Sequence, residues 1–257
     1  MSETANLGSS ELRFRKRQVA RKGLEQLTRL PEEMMQSRLL EEWLNGELAF
    51  QERALWIIEE IFSQAAQNGM AGRTLFKPAY LSLLNLSHAQ RLKLMVTAKQ
   101  ARLEFVRACL WSSLMPGASK TAGHFQELAS DEKGRVLTLG ERRSLARKPS
   151  VQSMERLLQD PDPIVMKHLL QNPRLTERLV LKICSARPQQ AQILFMIFEH
   201  KVWGLRQDIQ RALCLNPYSP LSIRCALCST LSIEEQKELM REDKLPLPLK
   251  SAINRLS

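Results

Sequence analysis

Residues 160–183 read DPDPIVMKHLLQNPRLTERLVLKI. Asp162-Pro163 sets a side-chain acceptor immediately before a first-turn proline, which marks a helix start, and Asn172-Pro173 interrupts the chain before a second apolar stretch. Aligning residues 165–183 with 209–227 (IQRALCLNPYSPLSIRCAL) places Asn172-Pro173 on Asn216-Pro217, Leu169 on Leu213 and Ile183 on Leu227, an offset of 44 residues. A weaker copy, SLARKPSVQSMERLL, puts Lys148-Pro149 24 residues before Asn172-Pro173. Further helix–proline–helix units occur at Arg187-Pro188 and Leu245-Pro246, so the proline spacings are 24, 15, 29 and 29. Recurrence at this scale is expected of stacked helical hairpins, because one hairpin cannot cover its own apolar face and must lean on the next.

The surrounding sequence has the same grammar of short helices broken by proline. Thr138-Leu-Gly-Glu141 and Ser232-Ile-Glu-Glu235 read as capping boxes, and Ser219-Pro220 as another acceptor before a first-turn proline. The quoted string resembles the leucine-rich repeat variant and HEAT-like repeats of bacterial proteins, whose units run Asp-Pro, short apolar helix, Asn-Pro, Leu-Thr, second apolar helix. HKVWGLRQDIQRALCLNPYSP, residues 200–220, is similar to a segment of bacterial helical-repeat proteins. The resemblance covers residues 138–257 and implies an irregular right-handed α-solenoid that acts by binding. Unit lengths vary here, and the second Asp-Pro is missing before Gln207.

Outward from this half, residues 116–137 lose the apolar rhythm and read as a linker or long loop. Gly117 to Gly123 has five intervening residues followed by His124, whereas a phosphate-binding loop needs four and then Lys-Ser or Lys-Thr. Residues 1–10 read as a disordered start and 11–115 as an α-helical N-terminal domain. There, Leu12, Val19, Ala20, Gly23, Leu24, Leu27 and Leu30 follow helical spacing over 11–30. Helical patterns continue over Met34–Leu44, Leu48–Ala66 and Tyr80–Leu86, with breaks expected at Pro31, Gly46, Asn68-Gly69, Gly72 and Pro78. Ser87-His-Ala-Gln90 reads as a capping box, a helix start before the stretch that reaches Trp111.

The fold class expected is therefore all-α throughout. The 257 residues suffice for one or two domains without disulfide or metal staples, and 5% aromatics with 10 glycines leave little material for β architecture. No run approaches the roughly 18 uninterrupted apolar residues of a membrane span, and MSETANLGSS has no apolar segment behind it as a secretory signal would. Five cysteines, an odd number, favour a reducing compartment, and the expected location is cytoplasmic.

A formal net charge of +11 favours an acidic partner. Residues 11–30 hold seven basic and two acidic side chains, whereas 32–60 hold eight Glu against Arg38 and Arg53; either the two segments neutralise each other or the basic helix is a binding surface. Arg13, Arg17 and Arg21 line one face of that helix. Trp203, Arg206 and Arg211 are further candidate partner-binding residues, a tryptophan beside cations being able to stack on a base or a partner side chain, or simply to lock two repeats together. Cys225-Ala-Leu-Cys228 is a lone C-x-x-C pair with no second pair; with Leu221 and Leu231 it forms an apolar helix stripe, and Cys214 with His200 matches no zinc spacing. His88, His124, His168 and His200 stand apart from any nucleophile motif, and Asp160 and Asp162 read as helix-capping residues. No catalytic residue, metal site or cofactor is expected. The leading functional reading is a non-enzymatic scaffold that binds an acidic protein. The alternative is a nucleic-acid-binding protein of the HEAT-like DNA glycosylase kind, although no nucleic-acid-binding signature is present. A third is a basic helix at 11–30 lying on anionic membrane, against which its apolar face lacks Trp.

Overall fold

The structure is a computed structural model that describes residues 18–67, 69–114, 128–130, 134–148, 151–241, 245 and 247–254. Every regular element among them is helical, as expected; the extended pairing they contain is one isolated antiparallel bridge between Ser130 and Val136, turning through Gly134 at φ +79°. The chain divides into two compact units, the first comprising residues 1–115 with 228–257 and the second 116–227. The sequence places a single repeat domain over 138–257, but the division falls at Leu227.

The first unit is built on α3 (Leu48–Ala66), whose Ala54, Leu55, Ile57, Ile58, Ile61, Phe62 and Ala65 are all buried. A helix apolar on so many sides must be surrounded, and it is. α1 (residues 18–28) buries Ala20, Leu24 and Leu27, and its Gly23 lies so near Ile57 that an added Cβ would stand 2.7 Å from Cγ1. α2 (Glu33–Asn45) and α4 (Met70–Leu84) both pack on α3. Pro78, expected to break the chain, lies inside α4: helix–helix packing through the buried Leu75, Phe76, Ala79 and Leu83 outweighs its missing amide. Buried Lys77 is neutralised by Glu33 at 3.1 Å.

The stretch from Ser87 to Trp111 forms two helices. α5 (His88–Ala101) starts at the Ser87–Gln90 capping box and ends at Arg102, whose left-handed φ of 57° returns the amides of Arg102 and Leu103 to carbonyls of the last turn. α6 (Glu104–Leu114) then begins under Glu59 of α3, which accepts from the amides of Phe105 and Val106 at 3.3 and 3.0 Å. Phe62 and Phe105 meet with ring centroids 6.1 Å apart.

In the second unit, α7 (Leu139–Arg147), α8 (Val151–Leu157) and α9 (Pro163–Leu170) are followed by α10 (Glu177–Ser185), α11 (Ala191–Glu199), a 3-10 turn Trp203–Leu205, α12 (Gln207–Leu215) and α13 (Leu221–Leu227). The two aligned Asn-Pro corners make the same bonds. Buried Asn172 donates through Nδ2 to the carbonyls of Ala146 and Lys148 at 3.2 and 2.9 Å, and its Oδ1 accepts from the Arg174 amide. Fully buried Asn216 donates through Nδ2 to Cys184 and Ala186, the latter at 3.1 Å, and accepts from Tyr218. In each case a side chain after one helix closes the open C-terminal carbonyls of an earlier one, α9 onto α7 and α12 onto α10. Each closed carbonyl pair also lies at an X-Pro step: Lys148 is the residue before Pro149, and Ala186 precedes Arg187-Pro188.

The helices after Leu227 return to the first unit. The 3-10 turn Cys228–Thr230 packs on α3, α14 (Ile233–Met240) follows the Ser232–Glu235 capping box, and α15 (Leu247–Asn254) packs on α6 through an apolar side that buries Leu249 and Ile253. Ser219 does not cap as expected. α13 starts later, at Leu221, and the Ser219 hydroxyl is buried without a partner.

Candidate functional site

Arg13 and Arg17, named as candidate binding residues, lie outside the described residues. Arg21 is exposed on α1 and pairs with Glu25 one turn on at 3.5 Å, a solvated intrahelical pair. Trp203 is half-buried, and its ring stacks on His200 with centroids 6.1 Å apart and planes 26° off parallel. His200 Nδ1 accepts from the amides of Val202 and Trp203, so imidazole and indole lock the turn between α11 and α12. The indole N–H is buried without an acceptor. Gly204 continues that lock by passing against the Phe198 backbone, where an added Cβ would lie 2.9 Å from the carbonyl carbon. Arg206 precedes α12 and reaches Glu177 of α10 at 3.9 Å, and Arg211 is exposed one turn later. The two arginines thus belong to the surface of the α10/α12 pair, whereas Trp203 serves mainly to hold the turn.

The preceding pair, α7 and α9, gathers a cluster that sequence spacing does not reveal. Arg147 Nη2 lies 2.9 Å from His168 Nε2, Lys167 is exposed beside it, and Arg143 is one turn back on α7. A guanidinium can only donate, so Nε2 is the acceptor and the imidazole is neutral. Burial holds His168 below its ordinary pKa, and the charges of Arg147, Arg143 and Lys167 hold it lower still. Asp162 is the carboxylate beside them, and its oxygens are engaged: Oδ1 caps α9 at the Val165 amide, 2.9 Å away, and Oδ2 meets Arg143 at 3.5 Å. Although burial pulls Asp162 upward, the Val165 amide and Arg143 keep it below the usual carboxylate range. The cluster keeps a cationic excess. Residues 138–227 as a whole carry fourteen Lys or Arg against seven Asp or Glu.

The remaining chemistry of the second unit is structural. Arg142 donates to both oxygens of Asp160 at 2.6 Å, and Asp160 also receives the Asp162 amide, so this buried carboxylate is spent on its neighbours. A polar cleft of about 480 Å³ beside α8 and α10 contains Glu155, Lys182 and Ser185, with Glu155 and Lys182 paired at 3.6 Å. In both units together, Cys109, Cys184, Cys214, Cys225 and Cys228 are reduced and buried, and burial pushes the Cys184 thiol up, away from reactivity. Among the described residues no three His, Cys, Asp or Glu side chains gather as metal ligands, and no described helix is long and apolar enough to cross a membrane.

The first unit contributes a groove of about 490 Å³ between α5 and α6. Its apolar lining is Leu92, Met95, Trp111 and Leu114, and its ionisable lining is His88, Lys99 and Arg107. No family model, curated protein or solved structure matches the chain.

Proposed function

We propose that the chain is a non-enzymatic helical-repeat scaffold that binds an acidic protein through the basic surface of residues 138–227. The observation carrying this reading is the Arg143, Arg147, Lys167 and His168 cluster, in which three permanent cations share a surface with one carboxylate already committed to a helix cap. Partner carboxylates placed there would meet Arg147 and Lys167, whose charge the one carboxylate, bonded to Val165 and Arg143, does not balance, which favours both encounter and register. Arg206 and Arg211 extend the same surface onto α12. The matched clasps of Asn172 and Asn216 support a repeat in which the α7–α9 group recurs as α10–α12, leaning into an irregular right-handed α-solenoid. Five buried thiols fit a reducing, cytoplasmic setting.

Proteins crosslinked to the full chain in extracts of its own cell test this reading. The expected result is an acidic protein recovered in stoichiometric amount, lost when Arg143, Arg147 and Lys167 are changed to Glu and reduced by Arg206→Glu with Arg211→Glu. On binding, the NMR titration of His168 moves upward, because a nearby carboxylate favours the imidazolium. Capture indifferent to all five changes would end the proposal. Salt-sensitive binding of random duplex DNA with no acidic protein recovered would assign the surface to nucleic acid instead.

A further inference from the structure

α5 has two apolar sides. Leu94 and Ala98 face the core, yet Leu92 and Val96 are 50% and 58% exposed. A helix apolar on both faces has one partner inside the unit and lacks one outside it. The outward residues are ordered: His88, Leu92, Met95 and Lys99 follow the spacing of one helix stripe, and Arg107, Trp111 and Leu114 make the facing stripe of α6. The sharp reversal at Arg102 sets these helices side by side, with Lys99 and Arg107 at one mouth of the groove and His88 at the other. From His88 to Lys99 the trough runs about 16 Å, or three helical turns.

We propose that this groove docks one acidic amphipathic helix of a partner protein, with apolar anchors over Leu92, Met95, Trp111 and Leu114 and carboxylates toward Lys99 and the His88 end. Charge selects the occupant. The ionisable lining of the groove is His88, Lys99 and Arg107, with no Asp or Glu among its lining residues and none in α5; the neighbouring Glu104 is buried and paired with Arg107 at 2.7 Å. A second copy would bring the same basic stripe against itself. Residues 115–127 (MPGASKTAGHFQE) offer one Glu for the whole groove. A partner helix with apolar residues at i, i+3 or i+4 and i+7 and acidic flanks satisfies both the trough and its rim. The site lies in the other unit from the Arg147–His168 cluster and does not depend on it.

The test uses the full chain and two labelled 14-residue helical peptides, identical at their apolar positions and carrying Glu or Lys at the flanks, followed by fluorescence anisotropy. The Glu peptide is expected to bind at least about tenfold tighter than the Lys peptide. Leu92→Glu should abolish that binding and Lys99→Glu weaken it about tenfold, both exposed substitutions leaving the helical circular dichroism and Tm unchanged. Equal affinity for the two peptides overturns the proposal. So does Glu-peptide binding that survives Leu92→Glu, or that follows Arg143→Glu and Arg147→Glu instead. Self-association of the free chain abolished by Leu92→Glu would give the groove to a second copy, and peptide binding that appears only on deleting residues 116–127 would give it to the chain's own segment.

Discussion

Asn172 and Asn216 each do with one amide what would otherwise require water inside the fold. Asn216 is fully buried, and truncating it leaves the carbonyls of Cys184 and Ala186 and the amide of Tyr218 without partners. Asn216→Ala is therefore expected to lower the unfolding free energy by about 2–4 kcal/mol, and Asn172→Ala by a comparable amount, in urea titrations. Indifference at either position would mean that the corner is held by its proline alone. Glu59 is the other residue whose burial has a measurable sign. Burial pushes its carboxyl up to about 7, while the amides of Val106 and Phe105 pull the other way and lose. Unfolded, the group titrates near 4.5. Between those values the folded chain holds a proton that the unfolded chain has released, so stability from this residue is complete below pH 4.5 and is lost as pH rises through about 7. Over that window the loss is on the order of 3 kcal/mol, and Glu59→Gln should flatten it. A slope of stability against pH unchanged in that variant would refute the assignment. The sequence contains the two Asn-Pro pairs in plain view, but their acceptors lie 24 to 32 residues upstream. Glu59 reads locally as one acid among eight, because the helix it caps begins 45 positions later.

Among the elements, starts were legible and stops less so. A capping box is complete within four residues, so Ser87, Thr138 and Ser232 could be read directly, and all three are formed. Ser219-Pro220 has similar chemistry but not the geometry, since the hydroxyl is sealed away from the α13 amides. The two serines should thus respond oppositely. Ser232→Ala is expected to cost about 1 kcal/mol, whereas Ser219→Ala relieves a desolvated hydroxyl and is neutral or stabilising by a few tenths to about 1 kcal/mol. Thermal melts of the two variants distinguish them, and a Ser219→Ala loss as large as that of Ser232→Ala would contradict this account. No glycine announces the left-handed residue at Arg102, so the break there is not legible locally, and Pro78 stays inside α4 because tertiary packing decides the matter. The α7/α9 cationic cluster was invisible for a related reason: Arg143 and Arg147 are spaced for one helix face, but only the packing of α9 on α7 brings His168 to them.

At the scale of the whole chain, the proline rhythm of the repeat-like string at 160–183 continues to Leu245-Pro246, and by sequence alone the repeat runs to residue 257. Its apolar side chains are nevertheless used elsewhere. Leu249 and Ile253 are buried in the first unit, with α15 against α6, at about 1.5–3 kcal/mol each. A chain ended after Leu227 should consequently lose hydrogen-exchange protection in α3 and α6 while α7–α12 keep theirs; equal protection with and without the last helices would show that the first unit closes by itself. The division also orders events during translation. Residues 116–227 are all available once synthesis has passed Leu227, whereas the helices before residue 116, made ahead of that unit, await residues 228–257 for their covering. Emergence from the ribosome therefore reverses maturation: of the two units, the one begun earlier is completed later, and in that interval its α3 and α6 faces lack the cover that residues 228–257 supply.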